Sequence, residues 1–381
     1  MKAQPLPRAA PATVLACGAY LKNRACLLDG DQVRWSALHG DLGDASACSA
    51  LADSLDALLA RATTPLQAVA HDLHSDFHST RLGQALARRL GVPAVAVQHH
   101  HAHIAVARAE HGVDAPVIGI ALDGVGLGSD GSAWGGELLW VGPCSRWRRI
   151  DHLAPLALPG GDVAAREPWR LAAAVLHAAG RGDEIVPRFA AQVGEPAARL
   201  LQAMLQRGLN CPSSTAAGRW FDAAAGALGL SLRQSAEAEA AVALQRAATG
   251  WLDAHPGFEF RWPSLDLQPL LLQLLALAAE GDEAIARGAA MFHLGLADAL
   301  AQRAMAAAAE TDVHTVVLAG GCFANRILRE WLEQALVRAG LRVLQPQLAG
   351  CGDAGLALGQ AWVAAAACTA GATPSALEMQ G

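Results

Sequence analysis

His99 and His103 stand four residues apart in Val97-Gln98-His99-His100-His101-Ala102-His103, a spacing that lets two imidazoles share one metal ion. Residues i and i+4 lie above one another on the same face of an α-helix. A helix over residues 98–111 therefore aims both rings one way and sends His100 and His101 elsewhere. Two neutral imidazoles and a carboxylate form a metal-binding set, and Asp353, in Gly350-Cys351-Gly352-Asp353-Ala354-Gly355, is a carboxylate that can complete it. Read without the histidines, Asp353 is an N-cap at a helix start. A zinc protease needs a glutamate directly after the first histidine; His100 holds that place, which disfavours proteolysis. A second cluster, His71-Asp72-Leu73-His74-Ser75-Asp76-Phe77-His78, lacks clean ligand spacing and reads as structural or as a substrate loop.

Two glycine-rich stretches are candidate ligand contacts. Asp123-Gly124 ends an apolar strand and is followed by Gly126, Gly128, Gly131, Gly135 and Gly136, so backbone can approach a ligand closely there. Ala319-Gly320-Gly321-Cys322-Phe323-Ala324-Asn325-Arg326 follows a strand and opens a helix, whose first amides suit a phosphate. Cys322 invites assignment as a nucleophile. No histidine is fixed near it by sequence, so packing is the expected role.

The elements that must position these residues follow from periodicity. Strands are expected at 13–17, 24–29 and 32–37, a helix at 47–62, a strand at 66–71, a helix at 79–90 and a buried strand at 92–97 that leads straight into the histidine helix. Ligands in α/β proteins gather at such strand-to-helix junctions. The pattern then restarts, with strands at 117–123, 138–141 and 147–152, and later a strand at 315–319, a helix at 322–339, a strand at 342–344 and a helix at 353–367. Two halves of the same order imply a duplicated α/β fold with a cleft between lobes. The first lobe is expected at 12–113 and the second at 114–370, with a helical insertion at about 164–310.

With 381 residues, 53% apolar, and a mean hydropathy of +0.25, the chain has ample material for a core. A net charge of −6 with dispersed Lys and Arg offers no footprint for nucleic acid. The alanine- and glycine-rich final helix is too weakly hydrophobic for a membrane span. Eight cysteines without a Cys-x-x-Cys pair read as free thiols in a cytoplasmic protein.

Taken in order, Cys17-Gly18-Ala19-Tyr20-Leu21-Lys22-Asn23, His71-Asp72-Leu73-His74, Val97 to His103, Leu122-Asp123-Gly124, Trp134-Gly135-Gly136-Glu137, Leu158-Pro159-Gly160-Gly161-Asp162, Glu167-Pro168-Trp169-Arg170, Ala319 to Arg326 and Asp353 to Gln360 resemble the C-terminal half of the HypF family. These are the hydrogenase maturation carbamoyltransferases, and the similarity runs from about residue 12 to 365. It implies an ASKHA fold, that of actin, hexokinase and the heat-shock chaperone ATPases, in the threonylcarbamoyl-transferase-like branch. It further implies a divalent metal (iron, zinc or magnesium) on His99, His103 and Asp353, with Asp123 nearby. ATP or carbamoyl adenylate would lie against Asp123, Gly124, Gly320, Gly321 and Asn325, with Asp222 and Glu237 on its ribose.

The implied reaction is carbamoyl transfer from carbamoyl adenylate to the C-terminal cysteine thiol of HypE, on the route to the cyanide ligands of NiFe hydrogenase. Because the resemblance covers only the family's C-terminal half, a separate adenylate-forming protein is an expected partner. No catalytic base within the chain is assigned. The alternatives are O-carbamoyl transfer to a small-molecule hydroxyl, threonylcarbamoyl transfer to tRNA, which the acidic charge weakens, and a non-catalytic scaffold subunit.

Overall fold

Short apolar runs broken by tight turns build the first sheet: β1 (Ala3–Pro5), β2 (Val14–Ala16), β3 (Cys26–Asp29), β4 (Gln32–Trp35), β5 (Ala68–Asp72) and β6 (Ala94–Val97). The computed structural model describes residues 3–370. Gly30, at φ 60°, supplies the left-handed residue that the two-residue hairpin between β3 and β4 requires. Helices α1 (Ala45–Leu59), α2 (His78–Leu90) and α3 (His99–His111) alternate with the later strands. The second sheet contains β7 (Val117–Leu127), β8 (Ala133–Val141), β9 (Trp147–His152), β10 (Leu156–Ala157), β11 (Ser213–Ser214), β12 (Thr315–Ala319) and β13 (Arg342–Leu344).

The two sheets share one plan. The first runs β4-β3-β2-β5-β6 and the second β9-β8-β7-β12-β13. In each, three antiparallel strands are followed by two more that join parallel to the first of them. This repeated order is the duplicated ASKHA-like architecture. Between β10 and β12 the chain forms mostly helices: α4 (Asp162–Arg166), α5 (Trp169–Ala178), α6 (Ile185–Val193), α7 (Glu195–Arg207), α8 (Ala217–Ala227), α9 (Glu239–Ala254), α10 (Gln268–Leu277) and α11 (Asp282–Thr311). The short β11 interrupts them and pairs with β8 and β10. The chain continues through α12 (Arg326–Arg338) and α13 (Leu356–Ala370).

Helix packing runs crosswise to chain order. Helix α3, which follows the first sheet, packs on β7 and β12 of the second, whereas α13, which follows the second, packs on β2, β3 and β5 of the first. The two helices also pack on each other, and a Cβ at Gly359 of α13 would run into the Ala102 carbonyl of α3. The physical reason lies in α3 itself: every residue from His99 to Glu110 is buried, so the helix needs apolar surface all round and not on one stripe. Val14, Val97, Ile104, Val317 and Leu358 accordingly belong to one core.

Three boundaries differ from the periodicity. Strand β8 starts at Ala133, so much of the glycine-rich stretch is ladder and not turn. Residues 322–339 are not one helix: Gly321–Ala324 form a 3-10 turn, and α12 begins after Asn325. Asp353–Gly355 is likewise a 3-10 turn ahead of α13. Among the described residues no helix is long and apolar enough to cross a membrane.

Candidate functional site

Helix α3 begins where β6 ends, and Gln98 caps it, its side-chain oxygen accepting the His101 backbone N–H at 2.8 Å. The cap fixes the phase of the first turn, so His99 and His103 stack on one face, ring centroids 4.9 Å apart. His100 and His101 turn away, the latter toward Trp147. Asp123 arrives from β7, at the point where its register with β8 breaks between Leu122 and Gly126. Such a bulge re-aims a side chain out of the strand's alternation. A Cβ at Gly126 would lie 2.7 Å from His100 and 2.9 Å from His99, so only glycine lets this strand cross the rings.

Asp353 is held in place by α3 as well. Near the far end of that helix, the buried Glu110 carboxylate accepts the backbone N–H groups of Gln347 (2.5 Å), Leu348 (3.1 Å) and Ala349 (2.6 Å), and His111 Nε2 meets the Gln345 carbonyl at 2.9 Å. The loop that leads to Asp353 is thus pinned to the helix that carries the histidines. It does not serve as an N-cap: its carboxylate points at both rings.

His99 Nε2, His103 Nε2, Asp123 and Asp353 offer ligand atoms all within 4.8 Å of one another. Asp123 Oδ2 lies 3.2 Å from His99 and 3.0 Å from His103, and Asp353 Oδ1 lies 3.6 and 3.5 Å from them. Ligands bonded at about 2.0–2.2 Å to one cation stand about 3.0–3.6 Å apart at tetrahedral or octahedral angles, so the donor set fits a divalent metal. The imidazoles are 4% and 1% exposed and the carboxylates 15% and 19%, so the cluster opens on its carboxylate side. Asp123, which sequence reasoning placed beside the metal set, stands within the same cluster of donor atoms.

Asp72, from the cluster read as structural, was missed. Its Oδ2 receives His99 Nδ1–H at 2.8 Å, so Nε2, which faces Asp123 and Asp353, is the nitrogen available to a cation. Burial opposes a charge on His99, but attraction from Asp72, then Asp123 and Asp353, holds this ring well above its ordinary pKa. His103 is raised too, burial again being outweighed by Asp123 and Asp353. A proton on each ring and a metal cation answer the same concentration of negative charge. Burial drives His101, with no such carboxylate, down to about 3.

Beside this cluster a cleft of about 240 Å³ is lined by Lys22, Asp123, Gly124, Arg219, Phe221, Asp222, Glu237, Val242, Gly321 and Asn325. A second cavity of about 350 Å³ adjoins it and reaches Asp353, Gly352 and Arg166. The expected nucleotide residues are therefore brought together, with two exceptions in role. Gly320 does not line the cleft; at φ 103° a Cβ there would strike the Leu122 carbonyl, so its task is close strand packing. Asn325 is largely committed: its Oδ1 caps α12 at Leu328 N (3.1 Å) and its Nδ2 meets His293 Nε2 (2.9 Å). Asp222 is buried, 2.7 Å from Arg219 and 3.1 Å from Gln234, and burial raises its pKa. Glu237 is exposed and pairs with Lys22 at 3.0 Å. Cys322 also lines the cleft, and burial pushes its thiol well up.

Two family models match the chain in succession. Residues 9–110 match the HypF Kae1-like domain, and residues 119–360 match the second subdomain of the carbamoyltransferase Kae1-like domain. The chain belongs to the HypF family of carbamoyltransferases. It is 58% identical to the carbamoyltransferase HypF homolog of Cupriavidus necator, over 98% of this chain and 97% of that one. It spans about half the length of other curated HypF carbamoyltransferases. The crystal structure of T. kodakarensis HypF superposes with a TM-score of 0.86 at 28% identity, over 98% of this chain and 50% of that one. Full-length HypF in a phosphate- and nucleotide-bound form gives 0.82 at 29% identity, over 95% and 47%.

Proposed function

We propose that this chain transfers a carbamoyl group from carbamoyl adenylate to the C-terminal cysteine thiol of HypE during hydrogenase maturation. The observation that carries the reading is the His99–His103–Asp123–Asp353 cluster opening onto a cleft with an apolar wall and acidic and basic side chains in a carbamoyltransferase-family chain. The nucleotide-bound state of one HypF structure supports a nucleotide in this half or in its partner half. In the transfer, the thiolate sulfur bonds to the carbamoyl carbon, the bond from that carbon to the phosphate oxygen breaks, and AMP leaves with the electron pair. The thiol proton passes to solvent.

The chain's residues divide the work. His99, His103, Asp123 and Asp353 would hold a divalent cation, which when bound supplies Lewis-acid neutralisation of charge on a phosphate or carbonyl oxygen. Asp72 keeps His99 in the ligating tautomer. Phe221, Ala241 and Val242 give one wall of the cleft an apolar face suited to a base, and Asp222 stands behind it as a partner for a ribose hydroxyl. Gly124 and Gly321 leave room for backbone to approach the ligand. The high pKa of Cys322 and of Cys351 is a reason to place the acceptor thiol outside this chain.

The test combines composition and product. Elemental analysis of His99→Ala and His103→Ala should show metal lost; retained metal removes the ligand set. Wild type with ATP, carbamoyl phosphate and HypE, with and without a separate adenylate-forming protein, should add one carbamoyl mass to HypE in at least one mixture. No gain in either mixture transfers support to a small-molecule hydroxyl acceptor or a scaffold role.

A further inference from the structure

Of the 29 basic residues in the chain, only Lys2 and Lys22 are lysines. Elsewhere positive charge is supplied by arginine, so a lysine at the cleft marks a position where a guanidinium serves less well. Lys22 lies between β2 and β3 with φ 45°, a left-handed conformation that an L side chain adopts rarely and that clusters at ligand sites. Its loop is rigid: the buried Asn23 side chain donates to the carbonyls of Cys17 (2.9 Å) and Ala19 (2.6 Å). Strain is thus imposed where the lysine projects. Lys22 lines both cavities, the one walled by Phe221 and Val242 and the one that reaches Asp353.

The charges around it are mostly negative. Asp123, Asp222 and Glu237 line the first cavity, and Asp123, Glu237 and Asp353 the second. Among the cations, Arg219 sits 2.7 Å from Asp222 and Arg166 borders only the second cavity. Arg219 and Lys22 both line the two cavities, but Arg219 is tied to the buried Asp222, whereas Lys22 is held by nothing stronger than an exposed ion pair: Nζ to Glu237 at 3.0 Å, with side chains 57% and 61% exposed. Such pairs contribute little and exchange easily.

On the nucleotide reading above, which this inference deepens, we propose that Lys22 is the cation that receives the phosphate of the adenylate, and that Glu237 is the partner it leaves to do so. Glu237 comes from the turn before α9 and Lys22 from the first lobe, so their pair spans the cleft mouth between lobes. An ammonium suits the exchange because it is a compact charge on a flexible stem with three rotatable donors. A guanidinium would grip Glu237 through its planar fork and part from it less readily. Glu237 then has a holding role and need not touch ribose.

Calorimetric titration of AMP and of adenosine into metal-loaded protein tests this. Lys22→Met should weaken AMP about tenfold or more and leave adenosine binding unchanged. Glu237→Gln should tighten AMP, because the lysine loses its competitor. Wild-type affinity for AMP in Lys22→Met, or equal losses of AMP and adenosine, overturns the phosphate contact while the nucleotide cleft stands. Weaker AMP binding in Glu237→Gln overturns the exchange. A wild-type chain that binds neither ligand removes the nucleotide reading itself, and this inference with it.

Discussion

His99 presents one nitrogen to the carboxylates and the other to Asp72, and the second contact decides what the first can do. With Nδ1–H donated to Asp72 at 2.8 Å, Nε2 is the nitrogen that would give its lone pair to a cation. Asp72→Asn keeps the shape but weakens the acceptor and frees the tautomer. Metal affinity, measured by chelator competition, should fall about 10- to 100-fold without loss of fold; an unchanged affinity would reduce Asp72 to a packing residue. The histidine pair was legible because helical spacing is a local property. Asp72 was not, since its 27-residue separation from His99 in sequence carries no sign that β5 ends beside α3. The one available hint was an acidic residue at the end of a buried strand.

At the scale of elements, α3 is the frame of the site. It carries His99 and His103 near its start, and its last turn grips the loop that delivers Asp353 to the same cluster. Glu110→Gln sets an amide NH₂ among three backbone N–H groups that now share a carboxylate. Leaving such buried donors unsatisfied costs about 1–3 kcal/mol each, so thermal unfolding should shift clearly downward. The metal should also bind more weakly, because Asp353 loses its tether. Full metal affinity in a destabilised Glu110→Gln protein would show that the 3-10 turn at Asp353 holds itself. The elements themselves were mostly visible as apolar runs and caps. The turn at Gly321–Ala324 was hidden because Asn325 caps α12 four residues later than the glycine pair suggests.

For the whole molecule, crosswise packing of α3 and α13 makes the two sheets share a core, and this predicts one cooperative unfolding transition and not two. Fluorescence and far-UV circular dichroism in urea should give coincident curves; separate midpoints would mean the lobes fold independently. The transition should also depend on pH through His293, fully buried, whose Nδ1–H donates to the Ala289 carbonyl and whose Nε2 faces the Asn325 amide. Burial lowers its pKa to about 4. The unfolded chain therefore takes up a proton near pH 6.5 that the native chain refuses until about pH 4. Stability is full above that window and falls as pH drops through it, by on the order of 2 kcal/mol at pH 5 from this group. His293→Gln should flatten the slope by up to one proton; an identical slope would remove His293 as its cause.

By itself the sequence determined the repeated order of strands and helices, the pairing of His99 with His103, and the ordered motifs of a HypF-family chain, because periodicity and spacing act over a few residues at a time. The tertiary structure alone decided that Asp72 stands against those rings, that Gly320 serves packing, that Glu110 tethers the Asp353 loop, and that each lobe is completed by the other's helix. Those contacts join residues tens to hundreds of positions apart. They exist only once apolar burial has closed the two sheets around α3 and α13.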